Sequence, residues 1–409
     1  MISIGVIGVG TVGGSLLTLL EDPFISEKIT VVKTVSKTGK RTPTAYPHST
    51  SADFILNDAS VQVVVEVMGT LDGYHLIKQA LLKGKHVVTA NKAVIDKYGI
   101  ELESLAQKHK VYLFFEGAVA GGIPIIQALK FGLSGNKTDE VIGIVNGTTN
   151  YILTKMSKEK SSYDEALRQA QTLGFAESNP AFDVEGNDAA QKIAILASIA
   201  FSTKIDSQHF SITGITRVTD ADIMFATELG YIIKLIARAR LLNGGLDIRV
   251  SPTLVSKKHP LAHVDYDRNA IYVSGKSHIT LSGEGAGGMP TASAVVSDLL
   301  NLSTLLSQPY RPITFFGNSR IRILSDDEVS SEFYIHFTAL NKPGTLNAIT
   351  QVFKDRGINI LQVLQRGKGG NVPLILHVDS TSFKTLKTSL ECVDEEILTL
   401  SSVFPILQA

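Results

Sequence analysis

The chain has one cysteine, no tryptophan and no net charge over its 409 residues. With Cys392 as the single cysteine, an intrachain disulfide is excluded, which favours a cytoplasmic location. The 39 basic and 39 acidic residues balance, so nothing predicts attraction to nucleic acid or to an anionic membrane. The apolar run at residues 193–201 is too short to cross a bilayer, and the first residues read as a strand and a glycine loop rather than a signal peptide.

A dinucleotide-binding fingerprint opens the chain. Apolar residues make up 44% of the sequence, which is enough for sizeable cores, and the length predicts two or three domains. Residues 2–7 form an apolar, β-branched run that leads into Gly8, Gly10 and Gly13, and residues 15–20 then read as a helix. This is G-x-G-x-x-G in its strand–turn–helix context, with the helix N-terminus facing the cofactor phosphates.

The loop after the second predicted strand, residues 29–35, favours NADP over NAD. An NAD site usually has an acid there for the ribose 2′-hydroxyl, yet no Asp or Glu occurs from Lys28 to Ala52. The loop instead offers side chains that suit a 2′-phosphate, namely Ser36, Lys37, Lys40 and Arg41. A solvated basic loop with no ligand is the alternative explanation.

Strands and helices continue to alternate, which predicts a doubly wound α/β domain. The predicted strands are residues 61–67, 86–89 and 111–115, and the predicted helices are residues 74–82 and 101–109. Lys92 follows the strand at residues 86–89, and such sheets bind their ligands at the carboxyl ends of strands. Lys92 is therefore a candidate catalytic residue, although an exposed surface lysine would give the same pattern.

One apolar helix further along carries an acid and a lysine. Asp188 and Lys192 are four residues apart, which places them on one helical face. A lone buried charge is costly, so Lys192 must be paired or face a cleft, where its pKa can be tuned for proton transfer. With the upstream acids Glu177 and Asp183, the pattern suits an ammonium-bearing ligand whose carbonyl or hydroxyl meets the lysine. A structural ion pair explains the helix alone equally well.

The remaining segments predict a mixed second domain and a small third one. Strands are predicted at residues 141–145, 248–255 and 270–273, and a long helix at residues 224–238. Residues 331–409 read as strand–helix–strand–strand–helix–strand, with Leu346, Ile349 and Phe353 on one face of the first helix. Because every candidate catalytic motif precedes residue 300, we expect the chemistry not to need this last segment.

Several motifs together resemble the homoserine dehydrogenase family. They are the run G-F-A-E-S-N-P-A-F-D-V-E-G-N-D-A-A-Q-K, the T-A-N-K sequence ending at Lys92, and the segment G-E-G-A-G-G-M-P-T-A-S-A-V. The C-terminal N-K-P-G-T-L and I-N-I are similar to those of ACT domains, which bind amino acids. Three positions depart from the usual pattern: Phe175 replaces Tyr, Asn179 replaces Asp, and Asn341 replaces the acid before Pro-Gly.

The resemblance implies three domains. A Rossmann-type doubly wound domain spans residues 1–130 and is completed by residues 285–325. An α+β domain for substrate binding, catalysis and dimerisation spans residues 131–284. An ACT-like regulatory domain spans residues 331–409. A homodimer or homotetramer is implied, as is L-threonine as an effector.

The implied reaction is reduction of L-aspartate 4-semialdehyde to L-homoserine, with NADP(H) preferred and NAD(H) use left open. Lys192 would donate the proton, assisted by Lys92. Glu177, Asp188, Asp183, Gly147 and Thr148 would serve the substrate, although helix capping is an equally adequate role for Thr148. The predicted cofactor-binding residues are Gly8, Gly10, Thr11, Val12, Gly13, Ser36, Lys37, Lys40, Arg41, Gly69, Thr89, Lys92, Gly174 and Gly287. The resemblance further implies a sodium ion held by Glu116 and the carbonyls of Val119, Gly121 and Ile123, whereas the sequence alone favours a structural turn there.

Two other functions fit parts of the sequence. One is an NADP-linked oxidoreductase that acts on a different amino-acid aldehyde. The other is a catalytically inactive sensor of NADP and amino acids, against which the presence of Lys92, Asp188 and Lys192 together argues.

Overall fold

The computed structural model describes residues 1–37, 46–242, 244–317 and 319–408. The chain forms two compact units. The first contains residues 1–141, 191–209 and 268–320, and the second contains residues 142–190, 210–267 and 321–409. The predicted domain boundaries follow motifs rather than this division, and they stay a prediction.

Strands and helices alternate through residues 2–144. In chain order they are β1 (Ile2–Ile7), α1 (Thr11–Leu19), α2 (Pro23–Ser26), β2 (Ile29–Val35), β3 (His48–Ser49), α3 (Asp53–Leu56), β4 (Val63–Glu66), α4 (Gly73–Leu82), β5 (His86–Thr89), α5 (Lys92–Lys108), β6 (Leu113–Phe114), α6 (Ile125–Gln127) and β7 (Glu140–Ile144). The first six strands form a parallel sheet in the order β3-β2-β1-β4-β5-β6. This order is that of dinucleotide-binding sheets, which place their ligand at the switch point between β1 and β4. The doubly wound prediction is confirmed.

Helix α5 begins at Lys92, well before the start predicted at residue 101. Its N-cap is Asn91, whose side-chain oxygen accepts the N–H of Val94 at 3.2 Å. Asn is a strong N-cap because its short side chain satisfies a backbone donor that has no partner within the helix. The cap therefore fixes Lys92 as the first helical residue, at the carboxyl edge of the sheet.

The middle of the chain is more irregular. Its elements are α7 (Gly147–Glu159), α8 (Tyr163–Thr172), α9 (Ala181–Val184), α10 (Asn187–Ala200), β8 (Ser211–Ile212), α11 (Asp220–Glu228), β9 (Tyr231–Leu242), β10 (Gly245–Ser256), β11 (Arg268–Ser274), β12 (His278–Glu284) and α12 (Gly288–Leu305). In the first unit, β11 and β12 form an antiparallel hairpin, and α12 packs against α1.

The prediction of one long helix at residues 224–238 was wrong. Helix α11 ends at Glu228, and Gly230 then adopts a φ of +90°, which lies outside the helical region. The following residues form the long strand β9, which pairs antiparallel with β10 from Tyr231↔Ser256 to Leu242↔Gly245. Its isoleucines fit both patterns, so the pairing with β10 decides the conformation.

The C-terminal segment has the predicted ACT order and topology. Its elements are β13 (Ser330–Leu340), α13 (Thr345–Asp355), β14 (Ile360–Gln365), β15 (Asn371–Ser382), α14 (Phe383–Leu390) and β16 (Leu398–Leu407). The sheet of the second unit runs in the order β7-β9-β10-β16-β13-β15-β14. Ile349 and Phe353 are fully buried as predicted, but Leu346 is 37% exposed, so its assignment to the core was wrong. Thr345 takes that place, one turn before Ile349.

Within the second unit, Asp222 of α11 joins the C-terminal segment to the rest. Its carboxylate is fully buried and accepts hydrogen bonds from Tyr334 Oη at 3.0 Å, His336 Nδ1 at 2.8 Å and Ser402 Oγ at 2.7 Å. Thr219 donates to its other oxygen from both its amide and its hydroxyl. The ACT-like segment is therefore packed into the second unit through a buried polar network.

Candidate active site

The glycine loop after β1 has the geometry that the fingerprint predicts. Gly8 adopts a φ of +103°, and a Cβ on Gly13 would lie 2.0 Å from the Gly8 carbonyl oxygen. A Cβ on Gly10 would meet nothing within 4 Å. Gly8 and Gly13 therefore serve the turn and its packing, whereas Gly10 faces open space where a ligand can approach.

The two candidate catalytic lysines line one cavity of the first unit, with a volume of about 230 Å³. Lys192 is 8% exposed and Lys92 is half-buried. The other walls come from α1, the loops after β4 and β5, and the glycine-rich segments; they include Val12, Val67, Gly69, Ala90, Ala118, Gly121, Gly285 and Thr291. The cavity therefore lies at the switch point and is lined by both lysines.

A buried acid lies beneath the same loops. Glu66, the last residue of β4, is fully buried and accepts hydrogen bonds from Thr89 Oγ1 at 2.6 Å, the Met68 amide at 2.9 Å and Asn91 Nδ2 at 3.2 Å. Asn91 Nδ2 also donates to the Thr70 carbonyl at 2.7 Å. Burial raises the pKa of Glu66 above its ordinary value, and the three donors oppose that rise. Thr89, a predicted cofactor contact, is fully buried, and its hydroxyl donates a hydrogen bond to Glu66.

In the second unit, one amide holds two predicted substrate acids. Asn146 Nδ2 donates to Asp183 Oδ1 at 2.7 Å and to Asp188 Oδ2 at 2.8 Å. The Asn146 side-chain oxygen caps α7 by accepting the amide of Thr149 at 2.8 Å. Thr148 is therefore not the cap; its hydroxyl donates to the Phe175 carbonyl at 2.6 Å. Helix α7 begins at Gly147.

Glu177 and Gly174 lie on an exposed loop. Gly174 adopts a φ of +78°, and the hydrogen bond described for Glu177 uses its backbone carbonyl, which accepts from Gln171 Nε2 at 3.2 Å. The Glu177 carboxylate is thus outside the network around Asn146. Phe175, which replaces the tyrosine usual in the family, has no hydroxyl, and its ring packs on that of Tyr151 with centroids 5.1 Å apart.

Glu116, the predicted cation ligand, is 2% exposed and faces the start of α6. Its two carboxylate oxygens accept the amides of Ile126 at 2.9 Å and Gln127 at 2.8 Å. Burial raises its pKa to about 7, and the two amide bonds partly offset the rise. The carbonyl of Ile123 accepts the Ile125 amide at 2.8 Å. Each of these oxygens keeps a second lone pair, so the set still fits a hard cation in kind.

The loop after β2 is only partly described. Ser36 Oγ is 3.2 Å from His48 Nε2, and Lys37 Nζ forms an exposed ion pair with Asp72 at 2.7 Å. The fold thus brings an acid beside Lys37 that the local sequence does not contain. Lys40 and Arg41 lie outside the described residues.

Within the first unit, the second glycine-rich segment packs closely against helix α1. Gly287 has a φ of +112° and precedes α12, and a Cβ on Gly288 would lie 2.6 Å from Ser15 Oγ of α1. A Cβ on Gly285 would lie 1.9 Å from the Asn269 side chain. These glycines allow the return segment to approach the fingerprint helix closely.

Sequence reasoning missed Glu66, Asn91 and Asn146. An acid that ends an apolar strand was the available signal for Glu66. An Asn just before an apolar helix was the signal for the other two. Neither signal reveals which partners the fold brings to these side chains.

Comparisons with known proteins agree with this architecture. Residues 8–116 match the model for the NAD-binding domain of homoserine dehydrogenase, residues 124–300 match the homoserine dehydrogenase model, and residues 333–391 match the ACT domain. A homoserine dehydrogenase of Synechocystis sp. is 38% identical over 389 residues, which is 90% of this chain and 89% of the relative. One from Bacillus subtilis is 38% identical over 379 residues, which is 89% of this chain and 87% of the relative.

Solved structures give the same result. The crystal structure of a homoserine dehydrogenase from Thiobacillus denitrificans is 35% identical, has a TM-score of 0.94 and covers 100% of this chain and 98% of that one. A hyperthermophilic archaeal homoserine dehydrogenase in complex with NADPH is 28% identical with a TM-score of 0.65, over 76% of this chain and 99% of its own. The chain therefore belongs to the homoserine dehydrogenase family, NAD(P)-dependent oxidoreductases that interconvert L-aspartate 4-semialdehyde and L-homoserine in amino-acid biosynthesis.

Proposed function

We propose that Lys192 gives the proton to the oxygen of the aldehyde as it is reduced, with Lys92 assisting. The observation that carries this proposal is that both lysines line one small cavity at the switch point of the sheet. A bound nicotinamide supplies the hydride. An ammonium beside the developing alkoxide stabilises negative charge and donates the proton that completes the alcohol.

The acids of the second unit are proposed to bind the amino-acid part of the substrate. Asp188 and Glu177 receive its ammonium group, and Asp183 acts with Asp188 because Asn146 donates to both carboxylates. Gly147 and Thr148, at the start of α7, offer backbone groups to the same substrate. A carboxylate has about four lone-pair sites and can accept several donors at once.

NADP is proposed as the preferred cofactor. The absence of an acid between Lys28 and Ala52 and the presence of Lys37 and Ser36 support this preference. Lys37 would exchange its exposed partner Asp72 for a 2′-phosphate, and an exposed ion pair costs little to break.

A sodium ion at Glu116 and a regulatory role for the ACT-like segment complete the proposal. The oxygen atoms of Glu116, Val119, Gly121 and Ile123 would hold the cation. L-threonine would bind the ACT-like segment of a homodimer or homotetramer, and it can regulate only if it binds two states with different affinity. The single exposed Cys392 suits the reducing cytoplasm.

The test is Lys192→Ala, which should lower kcat by roughly 10²–10⁴-fold, the usual contribution of general acid–base catalysis. NADPH affinity should change little. Lys85→Ala is the matched control, because Lys85 is also buried, at 7% exposed, but within the described part of the chain it donates to the Asp58 and Val61 carbonyls and does not line the cavity. Near-wild-type kcat in folded Lys192→Ala would remove Lys192 from this role. An equal loss in both variants would show a general effect of deleting a buried lysine.

A further inference from the structure

A carboxylate outside the cavity connects the two loops that form two of its walls. Glu66 accepts the amide of Met68 from the loop after β4 and the hydroxyl of Thr89 from the end of β5. β4 and β5 are neighbouring strands, and Glu66 is paired with Thr89 in their register. One buried side chain thus spans adjacent strand ends at the carboxyl edge of the sheet.

Asn91 extends this network to the catalytic candidate. Its side-chain nitrogen Nδ2 donates to both Glu66 and the Thr70 carbonyl, while its side-chain oxygen caps α5. The backbone N–H of Asn91 also donates to Thr89 Oγ1 at 3.0 Å. Because Lys92 is the first residue of α5, the position of its backbone is set by the residue that Glu66 holds.

Close packing leaves the network little freedom. A Cβ on Gly73 would lie 2.7 Å from both Glu66 Oε1 and Asn91 Nδ2, so a glycine is required beside them. Glu66 and Thr89 are fully buried, and Asn91 is 1% exposed. A buried network in which every donor has its acceptor holds one arrangement strongly, because breaking it leaves polar groups unpaired without water.

We propose that Glu66 is a positioning residue for the reaction, holding the loop after β4 and the start of α5 in the arrangement that aims Lys92 into the cavity. Val67 and Gly69 of the first loop, and Ala90 and Lys92 after β5, line that cavity, whereas Glu66 does not. The inference rests on the proposed catalytic role of Lys92.

The informative variant is Glu66→Gln, which keeps the size of the side chain but replaces one acceptor by a donor. With its oxygen toward Met68 and Asn91, the new amide nitrogen faces the Thr89 hydroxyl, which must rotate. We expect kcat to fall about tenfold to a hundredfold, because a misplacement of about 1 Å can cost that much. The KM for NADPH should rise, since the loop carrying Gly69 also shifts.

Glu103→Gln is the matched control. Glu103 lies on the same helix as Lys92, is 7% exposed and likewise accepts backbone amides, those of Phe315 and Phe316, but it does not line the cavity. It should change the melting temperature and leave kcat unchanged. Thr89→Val, which removes the hydroxyl that donates to Glu66 and accepts from the Asn91 backbone, is the second variant if Glu66→Gln does not fold, and it should lower kcat in the same way.

A double-mutant cycle separates this inference from the role of Lys92. If Glu66 acts through Lys92, adding Glu66→Gln to Lys92→Ala should lower kcat by less than twofold more. A full, additive loss in that background overturns the inference, as does wild-type kcat in both Glu66→Gln and Thr89→Val. Wild-type kcat in Lys92→Ala alone would overturn the role of Lys92, and with it the route proposed for Glu66.

Discussion

At the scale of the residue, the charges that the sequence places in apolar surroundings are the ones that the fold uses. Lys192 stands in an apolar helix and Lys92 follows an apolar strand, and the structure puts both on one cavity. Their partners were not predictable in the same way. The partners of Glu66 and Asn146 are distant in sequence, so a local sequence pattern does not predict the hydrogen bonds that these side chains form.

The basic loop after β2 gives a residue-scale prediction about cofactor choice. Lys37→Glu combined with Arg41→Ala should weaken NADPH far more than NADH, because only NADPH carries the 2′-phosphate. The measurement is kcat/KM with each cofactor. Ser26→Ala, on the short helix α2, is a suitable surface control. An equal fall for both cofactors would mean that these side chains do not read the phosphate.

At the scale of the element, helix caps and neighbouring strands determine where a helix starts and whether a segment is helix or strand, when hydrophobic periodicity alone fits both. Five of the six parallel strands could be predicted because each is a short apolar run followed by a turn, whereas β3 is the polar pair His48–Ser49 and was not predicted. The start of α5 was also missed, because Asn91 can be recognised as a possible cap in the sequence but becomes one only in its folded position. Strand β9 was mistaken for a helix because its partner β10 lies beyond the window in which periodicity is read.

Glu103 of α5 makes the stability of this element depend on pH. Burial raises its pKa from 4.5 to about 7, and the amides of Phe315 and Phe316 partly offset the rise. The folded state therefore holds more protons there than the unfolded state between these values. Its contribution to the free energy of unfolding is fully present below pH 4.5 and falls by up to about 3 kcal/mol as the pH rises through 7.

Glu103→Gln should remove this dependence. The free energy of unfolding of the wild type relative to the variant should decline between pH 5 and pH 8, as measured by denaturant unfolding at each pH. Glu116 has a similarly raised pKa and is unchanged in both proteins, so its effect cancels. Parallel curves for the two proteins would show that Glu103 titrates normally.

At the scale of the whole molecule, the C-terminal segment is less separable than the sequence indicates. It has a hydrophobic core of its own, which includes Phe333, Ile349 and Phe353. However, β16 lies beside β10 in the second unit, and Tyr334, His336 and Ser402 surround the buried Asp222. Sequence patterns show that a segment can form its own core, but they do not show which outside charges it covers. Among the described residues, no helix has the length and apolarity needed to span a bilayer.

A chain ending near Ser330 should therefore be less stable, even though the sequence predicts that the chemistry does not need this segment. It would leave Asp222 without three of its donors, and a buried polar group left unsatisfied costs about 1–3 kcal/mol, or more when it is charged. Thermal unfolding of the truncated and full-length chains measures this. Asp222→Asn in the full-length chain should lower the melting temperature in the same direction. An unchanged melting temperature in both would show that the segment is independent.

The most direct test of the account is the initial rate of nicotinamide reduction by the purified full-length chain with L-homoserine. We predict reduction that requires L-homoserine, is faster with NADP than with NAD, and is absent with L-serine, whose hydroxyl lies one carbon closer to the ammonium group. Lys192→Ala should abolish most of the rate under the same conditions. Equal rates with L-serine, or no rate with either cofactor, would contradict the account.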